Sequence, residues 1–270
     1  MLKIGLTGST GSLGKVILKY NKKRKIISFK EDITKRQKVF KWIKKNEFDI
    51  IIHLAAIVPI KKVNKNKAKA KNVNFNGTKN IVDACLKSNV SWMFFSSTSH
   101  VYNSSKNKIA ENYPTRPISF YGNTKLQAEK YIIKKFEKNK ISYCIGRIFS
   151  TTNKDQKKGY LIPDLKKRIK KSKKKIYLKN LNHFRDFISM TGISKIIFSL
   201  LDKRYKGIIN IASGKSLHLR DIAKLILKKY NKKNYEFIDN KVETSLIGDI
   251  SKLKKITKLK INDPIKKLIF

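Results

Sequence analysis

Strand and helix patterns alternate through the first half of the chain, which predicts an α/β protein: a doubly wound parallel sheet with a smaller C-terminal α/β lobe. Three observations carry this. Apolar runs such as 49–54 and 92–96 are continuous rather than alternating, as expected of strands covered on both faces. Amphipathic stretches separate them, for example 34–45 with Val39, Phe40 and Ile43 on one side. From about residue 151 the segments shorten, which marks a change of architecture.

In order, the pattern predicts a strand at 2–7, a helix at 13–20, a strand at 25–29, a helix at 34–45 and a strand at 49–54. A long helix at 68–87 and a strand at 92–96 follow, then a loop containing Pro114 and Pro117, a helix at 122–138 and a strand at 142–148. Beyond these come a helix at 161–171, a strand at 175–178 and a loop through His183-Phe184-Arg185-Asp186-Phe187. The remainder reads as a helix at 193–201, a strand at 207–212, a helix at 219–230 and a strand at 235–238. We divide the chain into a first domain, 1–157, and a smaller lobe, 158–270, with parts of 186–212 returning to the first. The lobe is expected to close over the carboxyl ends of the sheet, where open α/β folds bind ligands. The lysine runs 61–71 and 166–175 read as solvated loop or helix faces.

With 270 residues, 40% apolar and 10% aromatic, the chain can bury a full core. No apolar stretch approaches the ~20 residues that cross a bilayer, and the N-terminus runs straight into a strand, unlike a signal peptide. A cytoplasmic location is expected, with Cys85 and Cys144 as buried free thiols. His53, His183 and His218 have no metal-ligand spacing with Cys or carboxylates, so no metal is expected. The net charge of +46 raises a nucleic-acid role. Only eight of the 64 basic residues are Arg, however, and the lysines are spread over nearly every predicted helix and turn. No nucleic-acid-binding signature accompanies them, so we read compositional bias and no dedicated nucleic-acid partner. Such a surface still favours capture of phosphate-bearing small ligands.

Thr7-Gly8-Ser9-Thr10-Gly11-Ser12-Leu13-Gly14 follows the first strand and opens the first helix. There, backbone N–H groups and the helix N-terminus face a pyrophosphate, as in a Rossmann domain. Lys15 does not make this a triphosphate loop: Ser9 stands where that motif needs Gly, and Val16 where it needs Ser or Thr. The second strand ends Ile27-Ser28-Phe29-Lys30, without the carboxylate that usually holds the adenosine ribose. Ser28 and Lys30 would suit a 2′-phosphate, which favours NADP over NAD.

Tyr121 and Lys125 stand four residues apart, 23 residues after Thr98. Tyr102/Lys106 and Tyr131/Lys135 share the spacing, but the first lies in a polar loop past a strand and the second sits mid-helix. Tyr121 begins a helix after the Pro-containing loop, so its side chain can point into the cleft. Residues i and i+4 share a helix face, which brings the Lys125 ammonium beside the phenol. A phenol of pKa near ~10 is a poor base at neutral pH, and an adjacent cation stabilises its phenolate. Lys125 can also reach a cofactor ribose, while Thr98 can hydrogen-bond the same substrate oxygen.

Thr7–Gly14, Asp32-Ile33, His53-Leu54-Ala55-Ala56, Asn74-Phe75-Asn76-Gly77-Thr78, Phe95-Ser96-Ser97-Thr98, Tyr121-Gly122-Asn123-Thr124-Lys125 and Arg185-Asp186-Phe187 run in order over most of the chain. Together they resemble the extended short-chain dehydrogenase/reductases of the NAD-dependent epimerase/dehydratase group, which act mainly on nucleotide sugars. The resemblance implies a catalytic Thr98, Tyr121 and Lys125. It places Asp32 and Ile33 beside the adenine, and Leu54, Ala55, Ala56 and Phe149 along the cofactor. It also implies that Arg185 contacts the substrate diphosphate, with Thr98, Ser99, His100 and Ser150 around the sugar, and a homodimer built on helices 68–87 and 122–138. An ion pair with Asp186 is the alternative role for Arg185. The chain departs from the pattern in having Ser150 where Asn is common, and its end at Phe270 looks short, so part of the substrate lobe is expected to be missing.

Sugar-dehydrating members resemble one another in placing Asp-Glu after the catalytic Thr; here Ser99-His100 follows Thr98, which argues against dehydration. GDP-fucose synthases resemble one another in having Cys at the place of His100. An imidazole there can exchange a proton alpha to a ketone or bind the sugar, and a purely local hydrogen bond stays open. The expected reaction is 4-keto reduction of a nucleotide-linked deoxysugar with NADP or NAD. The alternatives are redox-neutral 4-epimerisation and a non-catalytic NAD(P)- or RNA-binding protein on the same fold.

Overall fold

The computed structural model describes residues 2–21, 24–153, 156, 159–239, 242–260 and 265–270. Its first half is β1 (Lys3–Thr7), α1 (Ser12–Tyr20), β2 (Lys25–Ser28), α2 (Arg36–Asn46), β3 (Ile50–His53), the short α3 (Ile60–Lys65) and α4 (Lys67–Lys71), α5 (Thr78–Cys85), β4 (Trp92–Thr98), α6 (Phe120–Lys138) and β5 (Ser142–Ile148). There follow β6 (Ser150–Thr152), α7 (Leu161–Lys171), β7 (Ile176–Lys179), β8 (His183–Arg185), β9 (Phe187–Ser189), α8 (Met190–Asp202) and β10 (Gly207–Ile211). The chain then runs through β11 (Leu217–His218), α9 (Leu219–Lys229), β12 (Tyr235–Ile238), β13 (Thr244–Leu246), α10 (Ser251–Thr257) and α11 (Ile265–Ile269).

Six strands form one parallel sheet in the order β2-β1-β3-β4-β5-β10, so the chain crosses back from the second lobe to supply its last strand. The run Ile50-Ile51-Ile52 is buried throughout because successive side chains enter opposite cores. Ile51 packs with Val39 and Ile43 of α2, Ile81 of α5 and Ile132 and Phe136 of α6. Ile50 and Ile52 pack with Ile17 of α1, Ile193 and Ile197 of α8 and Leu253 of α10. Helices on both faces make the sheet doubly wound. A further core, built from Leu165 of α7, Leu178 of β7 and Ile222 and Ile226 of α9, holds the smaller lobe together.

Two sequence expectations need correction. The predicted long helix at 68–87 is interrupted by a π-helical turn, Asn72–Gly77. The extra residue in that turn drives Asn74 inward, where its side chain accepts from Ile57 N at 2.7 Å and donates to Ile57 O at 3.3 Å. The expected loop at 183–187 is two strands, β8 and β9, separated by buried Asp186. β8 pairs with β11 and β13, and β9 with β6. β8 carries no apolar run and β9 only Phe187-Ile188, because each is three residues long and gains its ladder from distant chain.

The connection after β1 runs outward to β2 and the one after β3 runs the opposite way to β4, and this reversal opens a crevice between β1 and β3 at the carboxyl ends of the strands. The glycine turn after β1 and Leu54–Ala56 after β3 line it.

Candidate active site

Gly8 has φ +76, and a Cβ there would lie 2.7 Å from Ala55 N. Close approach also dictates Gly14, whose Cβ would lie 2.3 Å from Gly8 O. Gly11 caps α1 without a side chain, and no acidic residue occupies the first turn. The N–H groups that open the helix are thus left for an anion, with the helix dipole favouring it. Gly8, Ser9, Thr10, Gly11, Ser12, Leu13 and Gly14 all line a cavity of about 740 Å³ that runs on to Thr98, Tyr121 and Arg185. A dinucleotide pyrophosphate fits this cradle, whose close backbone contacts leave no room for a side chain at Gly8 or Gly14.

Lys30, Asp32 and Ile33 line the cavity just past the end of β2. Glu31, which no sequence motif singles out, lies beside them, and its carboxylate is paired with Lys38. Asp32 Oδ1 accepts from Thr34 N at 2.9 Å, and this bond holds its carboxyl below the usual range. Lys30 is exposed and has no ion pair among the described residues. Leu54, Ala55, Ala56, Phe149 and Ser150 line the middle of the cavity. Behind it, His53 bridges Thr7 Oγ1 at 2.6 Å and Thr78 Oγ1 at 3.0 Å, which ties β3 to β1 and α5. Burial, assisted by Lys125, pushes the His53 imidazole down to about 3, so it is neutral and structural.

Thr98 ends β4, and Tyr121 is the second residue of α6, whose N-terminus Ser119 caps by accepting from Gly122 N at 3.0 Å. The Thr98 and Tyr121 side chains face one another at the cavity wall. Burial raises the Tyr121 pKa, the Thr98 hydroxyl opposes that rise, and Tyr160 adds to it. The His100 ring stands edge-on to Tyr121 at 6.1 Å and also lines the cavity. Burial and the Arg185 charge lower it to about 4, which keeps the imidazole neutral.

Lys125 shares the helix face of Tyr121, but its ammonium has no hydrogen bond to the phenol among the described residues. It sits 4.0 Å from the centroid of the Phe95 ring, 1% exposed, and is not part of the cavity lining. Burial lowers its pKa to about 7, against a raising influence from Glu129. Ser99 is likewise buried and off the lining. Beneath both, Arg147 makes a two-pronged contact with Glu129 (Nη2 to Oε2 2.7 Å, Nε to Oε1 3.2 Å), and Ser97 donates to the same carboxylate. Arg147 also donates to Tyr102 Oη at 2.9 Å, so Tyr102 belongs to this buried network and not to the polar loop that its sequence neighbours suggest.

Arg185 lies at the end of β8, not in a loop, and makes no ion pair with Asp186. It donates to Phe184 O at 2.7 Å, Thr244 O at 2.9 Å and Thr244 Oγ1 at 2.8 Å. Asp186 instead accepts from Ser213 N, Ser213 Oγ and Gly214 N, each within 2.8 Å. The guanidinium therefore faces the cavity with no carboxylate partner among the described residues, and burial lowers its pKa to about 10. Tyr160 and Gln156 complete this end; no local pattern marks them, since only the folding of the lobe over the sheet brings them there.

A glycine cradle at the sheet's switch point, continuous with a paired threonine and tyrosine, defines a dinucleotide-binding α/β protein with a hydroxyl pair at the far end of its cleft. Residues 4–212 match the NAD dependent epimerase/dehydratase family, and the chain belongs to it. It is similar to the GDP-6-deoxy-D-talose 4-dehydrogenase of Aggregatibacter actinomycetemcomitans, 28% identical over 268 residues that cover 93% of this chain and 90% of that protein. Among solved structures it resembles RMD from Pseudomonas aeruginosa complexed with NADPH, with a TM-score of 0.90 at 18% identity, covering 100% of this chain and 96% of that one. The UDP-glucose 4-epimerase of Thermotoga maritima, solved with UDP-glucose, has a TM-score of 0.86 at 17% identity and coverages of 99% and 96%. At these identities the structural likeness speaks for the fold. No described helix is long and apolar enough to cross a membrane.

Proposed function

We propose that the protein is a nicotinamide-dependent oxidoreductase that reduces the 4-keto group of a nucleotide-linked deoxysugar, with NADP preferred to NAD. The observation that carries this reading is the Thr98–Tyr121 hydroxyl pair opening onto the same cavity as the glycine turn. The similarity to a 4-dehydrogenase of a GDP-linked deoxysugar supports the reaction type.

The turn at 8–14 would hold a reduced nicotinamide dinucleotide, which when bound would supply the hydride for the keto carbon. Tyr121 gives its proton to the oxygen as the carbonyl π bond breaks. Its raised pKa keeps the phenol protonated at neutral pH, as a proton donor requires. Thr98 orients the same oxygen and hydrogen-bonds the phenolate that remains. Lys125, one helical turn on and set over Phe95 behind the cavity wall, adds a positive field near the phenol when it is protonated. Arg185 suits a diphosphate, since its planar fork matches phosphate oxygens. His100, neutral at physiological pH, exchanges a hydrogen bond with a sugar hydroxyl. Glu31 is already paired with Lys38, which leaves Lys30 as the cation for a 2′-phosphate. The family resemblance extends the reading to a homodimer through α5 and α6, to be measured by sedimentation velocity.

The test is to incubate the protein with NADPH and a panel of 4-keto nucleotide sugars, following cofactor absorbance and product stereochemistry. Cofactor oxidation with one of them, lost in Tyr121→Phe, supports the reading. No oxidation with any, together with NAD retained through purification, transfers it to 4-epimerisation, a reaction the family's description also covers. Function intact in Tyr121→Phe would assign a non-catalytic binding role.

A further inference from the structure

We propose that Thr244 and His183 are positioning residues that aim the Arg185 guanidinium at the substrate diphosphate. This rests on the nucleotide-sugar reading above, and it concerns residues whose part in the site no motif suggests. Thr244 lies beyond residues 4–212, the stretch matched to the family.

The geometry gives the relay a direction. Arg185 Nη2 donates to Thr244 Oγ1 at 2.8 Å, and that oxygen stands 3.1 Å from His183 Nδ1. Thr244 N donates to the same Nδ1 at 3.2 Å. The backbone donor makes Nδ1 the acceptor, so the ring carries its proton on Nε2 and the threonine hydroxyl is free to donate towards it. With its hydrogen turned to His183, Oγ1 presents its lone pairs to Arg185. The strand pairing enforces this: β13 lies parallel to β8, with Thr244 opposite His183 and Leu246 opposite Arg185. Neither Thr244 nor His183 lines the cavity, whereas Arg185 does. Both therefore act through the arginine.

Protonation of His183 would put a second donor on Nδ1, against the Thr244 N–H, and a cation beside Arg185. The groups that face His183 are Arg185 and His218, which oppose its protonation, and Asp239 and Glu243, which favour it. Burial comes first, and the balance lies below the ordinary 6.5. His100, which also feels the Arg185 charge, is lowered to about 4, chiefly by burial.

The experiment is calorimetric titration of the full chain with UDP-glucose and GDP-mannose, whose diphosphate diesters do not titrate near neutrality, with NADPH as the control ligand. Arg185→Ala, Thr244→Val, Thr244→Ser and His183→Asn are compared with wild type. Thr244→Val is expected to weaken the bound nucleotide sugar about fivefold to tenfold, to leave NADPH within about twofold, and to recover in Thr244→Ser. Between about pH 7.5 and about pH 5 the wild type should lose nucleotide-sugar affinity, while His183→Asn, whose amide oxygen replaces Nδ1 without titrating, should not. If Arg185→Ala abolishes binding but Thr244→Val does not weaken it, the relay is wrong and the nucleotide-sugar reading stands. If Thr244→Val loses NADPH as well, the pH comparison decides: equal acid weakening in wild type and His183→Asn overturns the relay. If wild type binds neither sugar nucleotide, the functional reading fails first and takes the relay with it.

Discussion

Gly122 meets the backbone of His100 so closely that a Cβ on the glycine would lie 2.1 Å from the His100 carbonyl oxygen. This contact seats the start of α6 against the turn that follows β4, and it sets the Tyr121 phenol beside the Thr98 hydroxyl. A backbone oxygen cannot move aside as a side chain can. Gly122→Ala should therefore destabilise the fold by about 1–3 kcal/mol, read by thermal denaturation. It should also lower kcat by more than tenfold if the hydroxyl pair is the proton-transfer unit, since ~1 Å of misplacement costs that much or more.

How far the site is legible in the sequence follows from which contacts are local. The glycine turn, Thr98, and Tyr121 at a helix start are placed by their immediate neighbours in sequence, and the sheet strands by continuous apolar runs. The four-residue spacing of Tyr121 and Lys125 defines a shared helix face but not a rotamer, and the ammonium lies over Phe95. Arg185 is legible as a cavity residue while its strand is not, because β8 takes its partners from β11 and β13, far along the chain. The π turn at Asn72–Gly77 is hidden for a similar reason: it exists to bury Asn74 against Ile57, a tertiary demand that helical periodicity does not register.

Lys125 should trade stability for function. Its ammonium titrates at 10.5 in the ordinary state and at about 7 when folded, chiefly through burial. Between those values the unfolded chain binds a proton that the folded chain does not, so the residue's contribution to stability rises with pH across this window. Below about pH 7 both states are protonated and the full cost of a buried charge remains. Lys125→Met should therefore stabilise the protein at neutral pH by about 1–3 kcal/mol, with the advantage shrinking towards pH 10. Turnover should be lost. Chemical denaturation at several pH values checks the first outcome, and a variant less stable than wild type at pH 7 would contradict it.

Acid should weaken the fold through its buried neutral histidines. His53 and His100 are lowered from 6.5 to about 3 and about 4, in both cases by burial first. As pH falls through 6.5 the unfolded chain takes up protons that the folded chain refuses, and each such group costs about 1.4 kcal/mol per pH unit until its folded pKa is reached. His100→Gln keeps a polar side chain at the cavity wall and removes one of the two groups. Its stability should decline less steeply than wild type between pH 6 and pH 4, measured by urea denaturation; parallel curves would mean that His100 is already charged in the native state.

On the proposed reading Lys30 decides between NADP and NAD, at the place where a carboxylate usually selects a ribose hydroxyl. Lys38 already neutralises Glu31, and a backbone N–H of the Asp32–Thr34 turn already engages Asp32. The remaining charge at this corner is positive, so a 2′-phosphate should be favoured there while an unmodified ribose gains little. Lys30→Ala should weaken NADPH about threefold to tenfold, as expected for one charge-assisted contact at a solvent-exposed site, and leave NADH within about twofold. The NADPH loss should shrink as salt is raised, because an exposed pair is screened within a Debye length. Equal weakening of both cofactors would place Lys30 near the shared pyrophosphate or adenine instead, and would remove the basis for an NADP preference.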